Sequence, residues 1–382
     1  MSTTKATEGR KDGMGMIRRV QVSAALALLP LAVIPSFRRL SAQDSSRISE
    51  AQTVLSALVE SYGVSGAEGP VRETVKRLLP AWARPETDSA GNLWVRLGQG
   101  DPLVVFVAHL DEIGFTVDSI RDDGSLVLRT RGGFFSSLFE GQAALVHSAR
   151  GDVAGIFLPR DSGFTRHNPP PVRVDVGASS RAAALALGVA AGSTVTMPKQ
   201  YVRLAGTRAT GRSFDDRVGD AAQILALRHL DRTKLKHAVI FIWSTREEIG
   251  LEGAGAAAAA LGPTPRRVHA IDTFVSADSP LERRNFAVAP LGQGAVARAT
   301  DNSAVTPPAY VDSLVAVAQA RHIALQVGTT NGGNDGSTFT PYGVVDVALG
   351  WPLRYSHSPA EVVDLKDVAS LADLVQAVAE IW

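Results

Sequence analysis

Two unbroken apolar runs dominate the hydrophobic pattern, Pro102-Leu-Val-Val-Phe-Val-Ala108 and His237-Ala-Val-Ile-Phe-Ile-Trp243. Runs of this length without polar alternation predict strands covered on both faces, as in a parallel sheet. Asn92–Leu97 alternates as a further strand, and Val268–Asp272 and Val344–Leu349 add two more. Between them the apolar period changes to that of helices. Ile48, Val54, Leu55, Leu58 and Val59 share one face of a helix over Ser46–Tyr62. Helices also follow at Gly69–Leu79, Asp216–Leu230, the alanine run to Leu261, Pro307–Ala320 and Leu365–Trp382. Strands interleaved with helices predict an α/β three-layer sandwich around a mostly parallel central sheet.

From residue 120 to 206 the texture differs. Short β-rich pieces (Ser125–Arg129, Ala143–Ser148, Val153–Leu158, Val172–Val176, Thr194–Met197) alternate with Gly, Asp and Pro turns, around one helix at Ser179–Leu187. This predicts a small β-barrel-like domain over 120–206, inserted into a discontinuous main domain of 43–119 and 207–382. The first 42 residues carry a different signal. Met14-Gly-Met-Ile-Arg-Arg19 is basic, Val20–Ile34 is apolar, and Leu40-Ser-Ala42 offers small residues for cleavage. That layout predicts an export segment, periplasmic or secreted after cleavage and a membrane anchor if uncleaved.

The 382 residues are 45% hydrophobic and 20% charged with a net charge of +1, so no basic or acidic surplus points to nucleic acid or a membrane surface. The absence of cysteine excludes disulfides and thiolate zinc sites, and any metal must be held by His, Asp and Glu. Such residues gather just past the predicted strands. His109-Leu-Asp111 follows the first apolar run and Glu247-Glu248 the second; Ser213-Phe-Asp-Asp216 opens a helix. Asp272 closes a strand, and His357 follows the last one. Carboxyl ends of parallel strands are where open α/β sheets place ligands. His109 and Asp111, two apart, fall on one face of an extended chain, so Asp111 is placed to orient the imidazole. Taken singly, each fits a blander reading: Glu247-Glu248 a solvated turn, Asp215 a helix cap, Asp272 a turn former, His357 a loop histidine. Taken together, two imidazoles and three carboxylates suit a pair of divalent ions, zinc, cobalt or manganese, sharing a bridging carboxylate and a hydroxide nucleophile.

The motifs AHLDEIGFTV (108–117), VDVGASS (174–180), SFDDRVG (213–219), STREEIGLEGA (244–254), AIDTF (270–274), NGGNDGSTF (331–339) and RYSHSPAEVVDLKDV (354–368) stand in one order along Ser46–Trp382. In this the chain resembles the dinuclear metalloaminopeptidases of the glutamyl aminopeptidase and tetrahedral (TET) aminopeptidase family. The resemblance implies hydrolysis of N-terminal residues from peptides by a two-metal-bound hydroxide. It further implies His109 and Asp272 on one ion, Glu248 and His357 on the other, and Asp215 bridging, with Asp216 in support. It makes Glu247 the general base and Asp111 the catalytic aspartate, and it implies an inserted domain that builds dimers and larger assemblies. The chain departs from the family at Asn334, where a threonine is expected, and in its export segment, since the relatives are expected in the cytoplasm. Two rivals keep the residues but change the bond cleaved: a metal-dependent deacylase or carboxypeptidase, and a glycoside hydrolase built on paired carboxylates.

Overall fold

The computed structural model describes residues 42–160, 170–279 and 287–382. The expected export segment lies outside the described residues, apart from its last. Among the described residues, no helix is long and apolar enough to cross a membrane.

The main sheet runs in the order Glu86–Thr87, Leu93–Leu97, Val239–Ser244, Leu103–His109, Pro265–Val275, Leu349–Leu353, Ala295–Thr300, Leu325–Thr329. Its centre is parallel, from Val239–Ser244 through to Leu349–Leu353. Antiparallel pairings attach Leu93–Leu97 on one side and Ala295–Thr300 on the other. The strand expected at Val344–Leu349 divides in two: Val345–Asp346 pairs with the start of Pro265–Val275, and Leu349–Leu353 with its end.

The unbroken apolar runs are explained by two cores. Val104, Phe106 and Ala108, with Phe241 and Trp243, pack under the helices Ala42–Val59, Phe214–His229 and Leu365–Ile381. Their neighbours Val105, Val107, Ile240 and Ile242 face the other way, onto Ala257 and Ala258 of helix Glu252–Leu261 and onto Phe339. A strand with a core on each side carries polar residues toward its ends: His109 ends its strand and Glu247 and Glu248 follow theirs, whereas Asp272, expected to close a strand, lies inside Pro265–Val275, which continues three residues past it.

A closed six-stranded barrel is built from Gly114–Ile120, Leu126–Arg131, Ala143–Ser148, Gly151–Phe157, Arg173–Asp175 and Thr194–Thr196. Phe115 anchors its core, with ring centroids of Phe134, Phe139 and Phe157 at 5.1, 5.4 and 5.2 Å. The barrel therefore starts earlier than the expected 120 and ends before 206. Gly114–Ile120 does not read as a strand in the sequence because the exposed Asp118 and Ser119 interrupt its apolar pattern before the buried Ile120. Val202–Arg203 belongs instead to a small sheet with Arg208–Gly211 and Glu361–Asp364. That sheet sets the turn leading to Asp215 beside the loop carrying His357.

Where the barrel joins the sandwich, Glu112 is fully buried against Lys199 Nζ (2.6 Å), Arg212 Nη2 (3.4 Å) and Arg217 Nη2 (3.6 Å). Glu112 precedes the first barrel strand and Lys199 follows the last, so this ion cluster ties both connections to the start of helix Phe214–His229.

Candidate active site

His109 is the last residue of its strand and pairs with Ser244 of the neighbouring parallel strand. The chain after Ser244 turns at Arg246, which has a left-handed backbone (φ 54°), and so delivers Glu247 and Glu248 next to His109. Ser213 (φ 65°) likewise turns the chain before Asp215 and Asp216, whose own backbone is not helical although they lie within the first turn. His357 is a third such position, at φ 59°. Non-glycine residues in this region are costly and concentrate at functional sites.

Asp215 sits between the two imidazoles. Its Oδ1 is 3.2 Å from His109 Nε2 and its Oδ2 is 3.4 Å from His357 Nε2. Glu248 Oε1 lies 3.2 Å from the same nitrogen of His357, and Glu247 Oε2 lies 3.9 Å from His109 Nε2. The neighbouring glutamates thus face different histidines. Asp272 lines the same cleft, of about 650 Å³. Asp216 points inward: it accepts from the His109 N–H (3.0 Å) and the Gly219 N–H (2.9 Å), and a Cβ at position 219 would collide with its carboxylate.

Asp111 departs from expectation. Its backbone carbonyl, not its carboxylate, is the nearer partner of His109 Nδ1, at 3.1 Å against 3.7 Å. The strand ends at His109, so the extended geometry behind the expected side-chain contact does not persist to residue 111. The carboxylate accepts instead from the backbone N–H groups of Glu247 (2.9 Å) and Glu248 (3.2 Å) and from Ser65 Oγ (2.5 Å).

The charges show what would fit here. Burial, with repulsion from neighbouring carboxylates, pushes Glu247 and Asp216 well above the usual carboxylate range, and also raises Glu248. Asp272 is raised to about 6 by burial, against the pull of Arg298. Asp215 moves the other way: burial opposes ionisation, but His109 and His357 hold it well below the usual range. Both histidines are raised in spite of burial, because each faces carboxylates. The cluster is therefore short of positive charge. His109 Nδ1 faces the Asp111 carbonyl, and His357 Nδ1 lies 2.7 Å from the Gly133 carbonyl, which leaves both Nε2 atoms toward the carboxylates. This is how metal-binding histidines are usually held. Ligand atoms of His109, Asp215 and Glu248 lie within 4.8 Å of one another, and Glu248 Oε1 makes no aligned hydrogen bond. The residues fit divalent ions.

Comparison with known proteins decides the family. Residues 91–374 match the model of the M42 glutamyl aminopeptidases. The chain is 30% identical over 342 residues to a lysyl aminopeptidase of Pyrococcus furiosus, covering 86% of this chain and 96% of that one. It is 26% identical over 340 residues to the glutamyl aminopeptidase of Lactococcus lactis (84% and 94% covered). Among solved structures it is similar to the Pyrococcus horikoshii TET1 peptidase, described as assembling into a tetrahedron or a large octahedral shell (TM-score 0.78, 32% identity, 88% and 100% covered). The chain belongs to the M42 glutamyl aminopeptidase family. It is a metal-dependent aminopeptidase, and its mixed α/β fold is similar to that of solved TET peptidases.

Three residues of this M42 site take no role from the sequence, although two of them, Asp335 and Glu361, lie within the motifs NGGNDGSTF and RYSHSPAEVVDLKDV. Arg298, buried on a sheet strand, places Nη1 3.1 Å from Asp272 Oδ2 and Nη2 2.9 Å from Asp301 Oδ2. Glu361 Oε1 accepts from the His357 N–H (2.9 Å) while its Oε2 accepts from the Phe214 N–H (2.7 Å), joining the two loops that carry Asp215 and His357. Asp335 accepts from Ser244 Oγ at the strand end beside His109, and burial raises it to about 7. Asn334, the departure from the family, donates to Asp301 Oδ2 (2.8 Å) and accepts from the Gly336 N–H (2.8 Å), so it braces the loop through Arg298's partner.

Proposed function

We propose that the chain is an exported two-metal aminopeptidase acting on free peptide N-termini. The observation that carries this reading is the placement of Asp215 between His109 and His357, with Glu248 beside the second and Glu247 beside the first. His109 and Asp272 would hold one ion and Glu248 and His357 the other, with Asp215, placed between the two imidazoles, serving both. Zinc is the first choice, and cobalt and manganese suit the same donors. Two ions held there supply a Lewis acid for the scissile carbonyl and lower the pKa of a water.

The remaining chemistry belongs to side chains. Glu247 takes the proton from the attacking water and returns it to the leaving amine. A carboxyl held above its ordinary range by burial is suited to receive that proton and keep it until the amine departs. Asp111 fixes the backbone of Glu247 and Glu248, keeping the proton carrier and a metal ligand in register.

The chain self-associates as its structural relatives do, with the barrel as the assembly domain, and residues 1–42 direct export. The test of activity is a pair of peptides, one with a free and one with an acetylated N-terminus, given to zinc-, cobalt- and manganese-loaded enzyme. Only the free peptide is expected to lose its first residue; release of acetate would make the protein a deacylase, and cleavage at the carboxyl end a carboxypeptidase. Fusing residues 1–42 to a reporter tests export, and a reporter retained in the cytoplasm would rule it out.

A further inference from the structure

The described cleft wall lacks an uncommitted charge. Its charged side chains are Asp215, Glu247, Glu248, Asp272, His357 and Arg298. The first five form the cluster already described. Arg298 is enclosed by acids, with Asp272 and Asp301 at 3.1 and 2.9 Å and Asp346 close enough to raise its pKa further. Among the described residues, a side-chain carboxylate entering the cleft meets no cation that is not already matched, and an ammonium meets no acid outside the cluster.

Beside Thr273, Asn331 and Ser356, the uncharged side chains of the wall are apolar. Phe134, Phe135 and Leu138 come from the barrel segment beside Gly133, Leu251 from the turn after Glu248, and Val275 from the strand end beyond Asp272. Phe135 and Leu138 are exposed, at 80% and 47%, although they are large and apolar, and nothing within the described chain covers them. Their position at the mouth of the cleft gives that surface an occupant.

We propose that this cleft selects peptides with a neutral, apolar N-terminal side chain, leucyl or phenylalanyl, and that Phe135, Leu138, Leu251 and Val275 form the selecting wall. The preference rests on the aminopeptidase reading above. It differs from the glutamyl and lysyl specificities in the names of the relatives, and the reason is physical. Burying an unpaired charge in such a wall is costly, while burying an apolar side chain is favourable. Hydrophobic pockets discriminate modestly among apolar side chains, so several of them should be accepted.

The experiment compares leucyl, phenylalanyl, glutamyl and lysyl anilides on the metal-loaded full chain. Leucyl and phenylalanyl substrates are expected to exceed the other two by at least roughly 30-fold in kcat/KM, mostly through KM. Calorimetry with leucinamide and the α-amide of glutamate reads the same preference without turnover. Phe135→Arg, at an exposed position, is expected to raise the glutamyl-to-leucyl ratio roughly tenfold by adding a cation at the mouth. A wild-type enzyme that favours glutamyl or lysyl substrates overturns the proposal, as does leucinamide binding no more tightly than glutamate amide. An unchanged ratio in the arginine variant removes Phe135 from the selecting wall. If no anilide is cleaved while leucinamide still binds preferentially, the aminopeptidase reading fails and the apolar preference stands.

Discussion

The carboxylate of Asp111 accepts a hydrogen bond from the backbone N–H of Glu247 at 2.9 Å, and its other oxygen accepts from Glu248 at 3.2 Å. One buried aspartate thus fixes two consecutive residues with different tasks. Asp111→Asn keeps the size but leaves one acceptor where the carboxylate has two, so the Glu247-Glu248 turn loosens. Support of this kind is worth roughly 10–100-fold in activity or metal affinity. A fall of that size in kcat, with a smaller change in KM, is expected in steady-state assays. An unchanged kcat would show that the turn holds itself.

Glu247→Gln removes the proton carrier and leaves the proposed metal donors in place. Turnover should fall by roughly 10²–10⁴-fold, the contribution of a positioned acid-base group. Elemental analysis should still find two ions per chain. Loss of one ion instead would make Glu247 a ligand and exchange its role with that of Glu248.

Much of the scaffold is legible in the sequence because it is local. Leu103–His109 and Val239–Ser244 are readable since a strand between two cores must be apolar throughout. The strands Ala295–Thr300 and Leu325–Thr329 escape because they lie toward the sheet edge: the first carries Arg298, and the second is only half buried and interrupted by Gly328. The metal-type residues are legible since His109 ends a recognisable strand, Glu248 follows one and Asp215 opens a helix, while Asp272 lies inside its strand and His357 in the loop after the last parallel strand. Their supports are not, because their partners lie far along the chain: Glu361 accepts from Phe214, 147 residues away. Asp111 shows the limit of a period-two argument, which holds only while the strand continues.

Glu361 joins the Asp215 and His357 loops through two backbone N–H groups, so Glu361→Gln should disturb their spacing. An amide has one acceptor oxygen, and one of the two loops is released. Metal titration should show one of the two sites weakened by roughly 10–100-fold, as expected when a supporting residue is lost. Equal weakening of both, accompanied by a lower Tm, would point to general loosening of the fold.

Chelation should abolish activity, and added zinc, cobalt or manganese should restore it. The same dialysis distinguishes the rival glycoside hydrolase, whose paired carboxylates need no ion. Hydrolysis of a glucan that persists in chelator would favour that rival.

Glu112 supplies a stability prediction away from the reacting atoms. Burial alone would raise its pKa, but Lys199, Arg217 and Arg212 outweigh it and hold the carboxyl at about 2, below the ordinary 4.5. A group depressed in the folded state adds stability that is present above pH 4.5 and fades as pH falls through about 2. Glu112→Gln leaves two guanidiniums and Lys199, which burial already lowers to about 7, around a neutral amide, and breaking a buried pair in this way costs roughly 3–5 kcal/mol. Thermal melts of metal-stripped wild type and variant should therefore differ most at pH 7 and converge toward pH 2. The convergence is the informative part, since a packing defect would lower both ends equally. A constant gap across that range would mean that the junction between barrel and sandwich depends on the shape of the Glu112 side chain rather than on its charge.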